Sequence, residues 1–595
     1  MEQRPEIGFD SYDRFFPSQD TIPRGGFGNL IALPLQKNPR ENGNTLFLNE
    51  HLDPYPDQWA FLSSVNSMSH AQVRAVIGQA STRSGILGVR MVSTDENDNE
   101  PWLDPPSRHK RDIPISGPLP KMIELVLANQ IYIKKENLPP GLMNRLIRLA
   151  ALQNPEFYKA QAMRFPTFDK PRIINCCEDF PRHIGIPRGC LEDVVCLLES
   201  LGIETVLKDE RFGGHPIEIR FQGTLRPDQE EVATALLSHE TGVLSASTAF
   251  GKTVVASFLI ANRGVNALVL VHRRQLLDQW KDRLSAFLDI DPRRIGQIGG
   301  GKRNPQGIID VAVIQSLSKK GVVDDIVGDY GHLVVDECHH VSAGSFELAA
   351  RQSKAKYVTG LSATVVRKDG HHPIIFMNCG PIRHKIDDRK QAAKRPFAHR
   401  VVVRKTSFYL PTYLRRKEPP LAFHELYAAL ICDKKRNDTI VDDVLKSVKI
   451  GRSPLLLTER REHLETLETL LESKVANVIV VKGGMGKKQR KAVWDRMQAL
   501  GDGQERVIIS TGRYLGEGFD DPRLDTLFLT LPVSWKGVLI QYAGRLHRLH
   551  DSKKEVLIYD YLDSNVPTAV KMFERRRKGY IAIGYVIDKH KALHT

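Results

Sequence analysis

The residues best suited to chemistry lie in a short loop between an apolar strand pattern at 242–244 and an apolar helix pattern at 254–261. A strand–loop–helix turn ending in Gly-Lys-Thr is typical of a phosphate-binding loop, because the helix N-terminus presents N–H groups to an anion. Lys252 is predicted to reach the β- and γ-phosphates of ATP, and the Thr253 hydroxyl to bind Mg²⁺. The loop residues predicted to hold the nucleotide are Ser247, Thr248, Ala249, Phe250, Gly251, Lys252 and Thr253.

A second motif, which is acidic, follows the apolar run 333–335. In it, Asp336 lies 84 positions after Lys252 and is followed by Glu337. Acidic residues at the end of a buried strand sit at the ligand-binding edge of a parallel sheet. Asp336 is predicted to hold Mg²⁺ through water, and Glu337 to orient or deprotonate the attacking water. Each motif alone also fits an ordinary turn of an α/β domain; together they favour an ATP-hydrolysing site.

Three further motifs add predicted nucleotide-binding residues. Gln229, in Arg-Pro-Asp-Gln upstream of the loop, carries an amide that can pair with the N6 and N7 edge of adenine and so select ATP. Gly518 and Asp520 lie in Gly-Glu-Gly-Phe-Asp, which follows a later strand, and Gln541 opens Gln-Tyr-Ala-Gly-Arg-Leu-His-Arg. The segment 360–364, Gly-Leu-Ser-Ala-Thr, is predicted to couple the two halves of the molecule.

Arg545 and Arg548 are spaced three apart, which predicts that both lie on one face of a helix. An arginine supplied across a cleft to a γ-phosphate stabilises transition-state charge, and Arg548 is the candidate for that role, with Arg545 beside it. Taken singly, the two arginines fit surface salt bridges better than a catalytic role. Their position after all the other motifs favours the catalytic interpretation.

Two series of apolar strands alternating with amphipathic helices must position these motifs. The first starts near residue 223, and the second near residue 454. Such alternation predicts parallel sheets covered by helices, and therefore an α/β fold with two similar lobes.

The composition of the 595 residues, 41% hydrophobic and 26% charged, is that of a globular protein with several domains. No apolar run approaches about 18 residues, so no membrane span and no membrane partner are expected. Seven cysteines, an odd and sparse set, favour a reducing compartment, and we expect a cytoplasmic location. The net charge of +15 is uneven, since residues 383–417 hold twelve Lys or Arg against two Asp. That segment predicts a nucleic-acid partner, with a solvated surface or linker as the alternative.

In their order and spacing the motifs resemble those of superfamily 2 (DEAD/DEAH-box) helicases, over about residues 223–565. The resemblance implies two tandem RecA-like domains, ATP and Mg²⁺ as cofactors, and movement along DNA. The motifs that carry it are ASTAFGKT, DECHH, GLSAT, STG with GEGFD, and QYAGRLHR.

A closer resemblance is carried by segments outside those motifs. RKDG at 367–370 and IPRG at 186–189 resemble the xeroderma pigmentosum group B repair-helicase branch. The chain also resembles the helicase part of TOTE conflict-system proteins, in which a primase is fused or linked to a helicase. The segments similar to that family are GGFGNLIALPLQ, NPEFYKAQAMR, TAFGKTVVASFLIA, LTERREHL and SWKGVLIQYAGRLHR.

The resemblance also divides the chain and suggests a biological role in conflict with mobile DNA. Residues 1–65 would be the end of a primase domain without its catalytic Asp-x-Asp strand, so no primase activity is expected. The accessory domain, within residues 66–222, would recognise DNA, or would serve as a packing scaffold. The predicted domains are 1–65 primase remnant, 66–222 linker and accessory domain, 223–385 RecA-like domain 1, 386–445 basic inter-lobe insert, 446–567 RecA-like domain 2 and 568–595 basic tail.

The sequence therefore predicts an ATP-dependent DNA helicase or translocase. An RNA-directed motor stays open, because such motifs contact the sugar-phosphate backbone. A recruitment subunit that positions a nuclease or primase partner also stays open. Three aromatic residues of the basic segment, Phe408, Tyr409 and Tyr413, either stack on bases or pack the segment onto a lobe.

Overall fold

A computed structural model of the chain describes residues 33–49, 53–81, 115, 118–247, 250–319, 321–339, 343–365, 367, 369–415, 423–483, 485–512, 521–533 and 536–588. It divides into two compact units, which are described separately: 1–210 with 367–378, and 211–366 with 379–595. In the described part of the chain, no helix is both long enough and apolar enough to cross a bilayer.

The first unit is built around a mixed five-stranded sheet. Across the sheet its strands are Glu178–Asp179, His183–Pro187, Gln130–Lys134, Met122–Leu127 and Glu204–Asp209. Its α-helices are Lys37–Glu41, Gln58–Ser64, His70–Ser81, Pro140–Leu149, Pro155–Ala162 and Leu191–Ser200, with Pro373–Cys379 at its second segment. A short antiparallel pair joins Ala151–Gln153 to Ile173–Asn175.

Near the start of this unit, Leu48 and Pro54 form only an isolated bridge, which is too short a pairing to make a strand.

The second unit contains two parallel sheets, and the first of them carries the phosphate-binding loop. Across this sheet the strands are Lys302–Asn304, Ile295–Gly299, Ile309–Val313, Ala267–Val271, His332–Val335, Tyr357–Ser362, Thr241–Ser245 and Ile382–Lys385. All pairs are parallel except the edge pair of Ile295–Gly299 with Lys302–Asn304. The α-helices of this lobe are Pro227–Leu237, Lys252–Arg263, Arg274–Phe287, Ile314–Leu317 and Ala343–Gln352.

The apolar strand patterns explain this sheet. Every residue of Ala267–Val271 is buried, as expected for a strand with helices on both faces. Helix Arg274–Phe287 turns Leu277, Trp280 and Leu284 to the same core, at the 3–4 spacing of an amphipathic helix. This packing fixes the carboxyl ends of the central strands, and the predicted motifs follow those ends.

The second sheet is parallel throughout. Its strands are Val478–Val481, Val507–Thr511, Pro454–Thr458, Thr526–Leu529, Glu555–Leu562, Ala398–Lys405 and Val586–Asp588. Its α-helices are Thr412–Arg415, Phe423–Cys432, Lys434–Lys449, Arg461–Glu472, Lys487–Ala499, Lys536–Leu546 and Pro567–Ala582. A short helix, Asp388–Lys394, lies between the two sheets in the chain and is called the linker helix below. Two helix-covered parallel sheets confirm the predicted α/β class.

The predicted basic insert and basic tail differ from what the structure shows. Strand Ala398–Lys405 lies inside the second sheet, paired with Glu555–Leu562 and with Val586–Asp588. Its cations have structural partners: Arg400 pairs with Glu555 and Asp588. The charge-rich run therefore includes a strand of the second sheet and is not simply an insert. Its charge is compatible with a strand, because the exposed ends of a strand can carry paired arginines. The domain limits themselves stay predictions.

The tail arginines behave similarly. Arg576, in the predicted basic run 575–578, is buried and donates to both carboxylate oxygens of Asp560. Helix Pro567–Ala582 contributes Tyr580 to the core of the second sheet. Part of the tail is thus an integral element of this lobe.

The three aromatic residues of the basic segment divide between the two alternatives. Phe408 is buried against Leu426, Leu430 and other apolar side chains, so it packs the segment onto the lobe. Tyr409 and Tyr413 are 60% and 74% exposed. Only these two tyrosines present ring area to solvent among the three.

Candidate active site

The phosphate-binding loop joins strand Thr241–Ser245 to helix Lys252–Arg263. Gly251 precedes the helix with φ +91°, a left-handed conformation that favours glycine. A Cβ at Gly251 would lie 2.6 Å from Gln229 Nε2, so a side chain there meets a second obstacle. Thr248 and Ala249, predicted to bind nucleotide, lie outside the described residues.

The loop is held from one side by Arg226 and Gln229. Both donate to the Phe250 carbonyl, from Arg226 Nη2 at 2.7 Å and from Gln229 Nε2 at 3.0 Å. Gln229 Oε1 accepts from the Arg226 backbone N–H at 3.1 Å, which fixes the amide orientation. Because an amide has two N–H donors and two lone pairs, these contacts leave capacity for an adenine edge. Arg226 was missed as a site residue, although it stands beside Gln229 in the same motif.

Lys252 lies in the first turn of the helix and is buried, 6% exposed. Its Nζ donates to the Ala246 carbonyl at 3.2 Å and to Glu337 Oε1 at 3.1 Å. Thr253 follows it and is half-buried. The structure therefore brings the predicted phosphate-binding lysine and the predicted water-activating carboxylate into direct contact.

Asp336 ends strand His332–Val335 and points to Trp280. Its Oδ2 accepts from Trp280 Nε1 at 2.7 Å, and its Oδ1 accepts from the Glu337 backbone N–H at 2.9 Å. Burial, together with the Glu337 charge, raises the pKa of Asp336 to about 6, against the opposing effect of Lys252. A divalent cation beside this carboxylate would favour its charged form. Trp280 was not identified from the sequence, since its helix position reads as core.

Glu337 has φ +45°, which is uncommon for a residue other than glycine. Strained backbone of this kind clusters at active sites, where the surroundings hold it. Its Oε2 lies 3.3 Å from His339 Nδ1 and accepts weakly from the Ala363 N–H at 3.4 Å. One carboxylate thus contacts the phosphate-binding lysine, its own motif and the segment predicted to couple the lobes.

His339 links the first lobe to the second. The Ser362 hydroxyl donates to the Thr364 carbonyl, so it accepts from His339 Nδ1–H at 2.7 Å. His339 Nε2 then carries the lone pair and accepts from Gln541 Nε2 at 3.2 Å. Gln541, predicted to bind nucleotide, is therefore placed against the acidic motif of the other lobe.

The two predicted arginine fingers do not share a helical face. Arg545 is buried on helix Lys536–Leu546, whereas Arg548 follows the end of that helix and is half-buried. The helix ends early because the buried Lys553 ammonium binds the carbonyls of Leu546 and Arg548, at 2.9 and 2.8 Å. The prediction of a common helical face was wrong. Gly518 and Asp520 lie outside the described residues.

The arrangement fits a magnesium-bound nucleotide. Among the described residues no three His, Cys, Asp or Glu side chains come together as a metal cage. Mg²⁺ at a nucleotide typically uses one or two protein oxygens, substrate phosphates and water. Asp336 and Thr253, at the strand end and the helix start, supply that kind of donor set.

Three family models match the chain. They are the archaeo-eukaryotic primase domain of TOTE conflict systems over residues 1–76, the res subunit of type III restriction enzymes over residues 222–367 and the helicase conserved C-terminal domain over residues 436–550. The second and third fall on the first and second lobes respectively, in the order of the motifs.

Curated relatives match over most of the motor. A putative ATP-dependent RNA helicase of Acanthamoeba polyphaga mimivirus is 26% identical over 423 residues, 69% of this chain and 76% of its own length. A DNA 3'-5' translocase, XPB2, of Sulfurisphaera tokodaii is 25% identical over 60% of this chain and 84% of its own length. A putative helicase of Invertebrate iridescent virus 6 is 26% identical over 63% of this chain and 85% of its own length.

These matches confirm the resemblance read from the motifs, the two-lobed α/β fold and the use of ATP. With both helicase models matched in order over the lobes that build the site, the chain is similar to superfamily 2 helicases and has the features of an ATP-hydrolysing helicase or translocase.

Proposed function

We propose that this chain is a Mg²⁺-dependent DNA translocase or helicase whose ATP site lies between the loop at Lys252 and the helix carrying Gln541. The observation that carries the proposal is the continuous path Lys252–Glu337–His339–Gln541, which joins the phosphate-binding loop to the second lobe. Such a path connects the state of the nucleotide to the position of a lobe.

The residues of the path suggest the order of events. A γ-phosphate attracts the Lys252 ammonium and competes with Glu337 for it. Glu337, once released, is free to orient the attacking water and to take its proton. When bound, Mg²⁺ would neutralise phosphate charge, held by Asp336 and Thr253.

The second lobe then responds through His339. Release of Lys252 lets Glu337 shift, and the Oε2 of Glu337 is 3.3 Å from His339 Nδ1. His339 in turn holds Gln541, on the helix that also carries Arg545. Closing on ATP and opening after hydrolysis would move the lobes along a strand.

DNA as the track is supported by relatives named as DNA 3'-5' translocases or helicases and by the net charge of +15. A 3'-5' direction follows from those names as part of the proposal. RNA is the second candidate, because one relative is named a putative RNA helicase.

The match of residues 1–76 to a TOTE primase domain supports a primase partner. The odd and sparse set of seven cysteines supports a cytoplasmic setting.

The test compares ATP hydrolysis with single-stranded DNA, duplex DNA, forked DNA and RNA. We expect DNA to stimulate hydrolysis more than RNA, and Lys252→Ala to abolish the stimulated rate. A matched control, Lys356→Ala, removes a surface lysine of the same lobe, paired at 3.5 Å with Glu240, and should hydrolyse ATP normally. Equal rates with no nucleic acid, DNA and RNA would refute a nucleic-acid motor.

Direction and partner role need separate assays. Strand displacement with 3' and 5' overhangs should show unwinding from the 3' overhang. Neutralising Arg415, Arg416 and Lys417 together should weaken DNA binding and flatten its salt dependence, with the logarithmic slope falling by about one for each phosphate that is no longer neutralised. ATP hydrolysis without any displacement or translocation would favour the recruitment-subunit alternative.

A further inference from the structure

The linker helix, Asp388–Lys394, carries the chain from the last strand of the first sheet to the first strand in the second. A relative movement of the two lobes must therefore be accommodated in residues 386–397. Contacts made by this helix are well placed to report the lobe arrangement to the nucleotide site. Two such contacts reach the phosphate-binding loop.

The first contact is a chain of three hydrogen bonds. Gln391 Nε2, on the linker helix, donates to Asp228 Oδ2 at 2.6 Å. Asp228 Oδ1 accepts from Arg226 Nε at 3.2 Å, and Arg226 Nη2 donates to the Phe250 carbonyl at 2.7 Å. Arg226 also lies over the Phe250 ring, with 5.7 Å from its guanidinium carbon to the ring centroid. The linker helix is thus tied to the loop residue that precedes Gly251.

These hydrogen bonds involve the charged groups of Asp228 and Arg226, so they are stronger than the partial exposure of the two side chains would suggest. Asp228 is 18% exposed at its side chain, and Arg226 is half-exposed. Burial alone would raise the pKa of Asp228, but the Gln391 hydrogen bond and the Arg226 charge hold that pKa below its ordinary value. A carboxylate that accepts from both sides orients the guanidinium more firmly than solvent would.

The second contact comes from the same helix. Asp388 and Arg395 line a small cavity with Ser247 of the phosphate-binding loop and with His547 of the second lobe. One helical turn after Asp388, a Cβ at Gly584 would lie 2.6 Å from the Ala392 side chain, and Ile583 lines the same cavity. The linker helix therefore contacts both the loop and the C-terminal turn of the second lobe.

We propose that Gln391 is a positioning residue for ATP binding: through Asp228 and Arg226 it holds the phosphate-binding loop in its binding geometry. The proposal rests on the ATP-dependent function proposed above, and it adds a residue outside all the helicase motifs. Gln391 acts through Asp228 and Arg226 on the geometry of the loop, so its effect falls on affinity. When the lobes separate and Gln391 withdraws from Asp228, the loop loses this support and ATP binds more weakly.

The experiment compares substitutions of Gln391 that differ in charge. Gln391→Glu places a second carboxylate against Asp228 and should raise the KM for ATP about tenfold, with kcat within about twofold of wild type. Gln391→Ala should raise KM about threefold. Gln391→Lys keeps a donor for Asp228 and should stay within about twofold of wild type.

A rescue variant separates positioning from simple damage to the fold. Asp228→Asn combined with Gln391→Glu exchanges donor and acceptor, since the asparagine amide can donate to the new carboxylate. This double variant should recover most of the affinity that Gln391→Glu removes. The matched control is Ala393→Glu, which adds the same charge at an exposed position of the same helix and should leave KM unchanged.

Binding of a fluorescent ATP analogue, measured without nucleic acid, gives the same comparison independently of the track. If Lys252→Ala binds and hydrolyses ATP normally, the proposed function fails. If Lys252→Ala fails to bind but all Gln391 variants bind equally, only the positioning role fails. A fall in kcat at unchanged KM, or absence of rescue in the double variant, would also overturn it.

Discussion

Replacing Glu337 by glutamine should strengthen nucleotide binding while it stops hydrolysis. In the structure Glu337 Oε1 holds the Lys252 ammonium at 3.1 Å, in surroundings where the two side chains are 17% and 7% exposed. ATP must draw Lys252 away from this partner before the lysine can contact phosphate. Glutamine keeps the size and an acceptor oxygen but removes the charge, so it competes less strongly for the lysine.

The size of the effect follows from the two kinds of hydrogen bond. Both bonds involve the charged Lys252 ammonium and fall in the range of about 1.5–3 kcal/mol, with the ion pair to the carboxylate nearer the upper end and the bond to a neutral amide nearer the lower end. A difference of about 1 kcal/mol corresponds to roughly fivefold tighter nucleotide binding. The low exposure of both groups means that salt screens this pair little. Loss of a positioned general base should lower kcat about 10²–10⁴-fold.

The assay is a titration with a fluorescent, slowly hydrolysed ATP analogue, alongside steady-state hydrolysis with saturating DNA. Lys252→Ala is the opposing control, because it removes the phosphate contact and should abolish both binding and hydrolysis. Glu347→Gln, on the helix after the acidic motif, removes the charge of a comparably buried pair with Arg351 and should change neither. If Glu337→Gln bound the analogue more weakly than wild type, the competition inferred for Lys252 would be refuted.

Three further predictions concern the second lobe. Phe408→Ala should lower the free energy of unfolding by about 3–5 kcal/mol in denaturant melts, because the ring is buried. Tyr413→Ala removes an exposed ring, so the free energy of unfolding should stay unchanged while binding of single-stranded DNA weakens. Arg576→Ala should cost about 3–5 kcal/mol by leaving Asp560 buried and unpaired; an equal loss on alanine substitution of the exposed arginine that follows would contradict this. Burial lowers the pKa of His463 to about 3, so the unfolded chain binds a proton that the folded chain refuses, and stability should fall as the pH drops from about 6.5 toward 3. The acid loss should shrink in His463→Gln when melts are compared at pH 7 and 5.

The sequence was sufficient for the parts of the site that follow from strand ends. Lys252 and Asp336 each come shortly after a buried strand finishes, and such strands are apolar enough to be recognised. Since parallel strands place their carboxyl ends at one edge, topology brings the Lys252 and Glu337 motifs to the same edge of the sheet, and the structure adds their direct contact. The second series of apolar strands, which starts near residue 454, was recognised in the same way.

Contacts made by side chains from core-like patterns were beyond the sequence. Trp280 reads as one apolar position of an amphipathic helix, and nothing in its spacing distinguishes an indole that donates to Asp336. Arg576 reads as one of a run of solvated cations, although helix geometry turns it inward and its neighbours outward. A cation within a charge run cannot be classed as buried or exposed until the face of the helix or strand that carries it is known.

The helix end at Leu546 shows why local spacing also misled. Two arginines three apart share a face only while the helix continues, and here Lys553, five positions beyond Arg548, binds the last carbonyls and ends it. A turn after Leu546 frees Arg548 from the direction imposed on Arg545 by the helix. The two arginines therefore do not share a helical face, and contact of either one with a nucleotide phosphate stays a prediction.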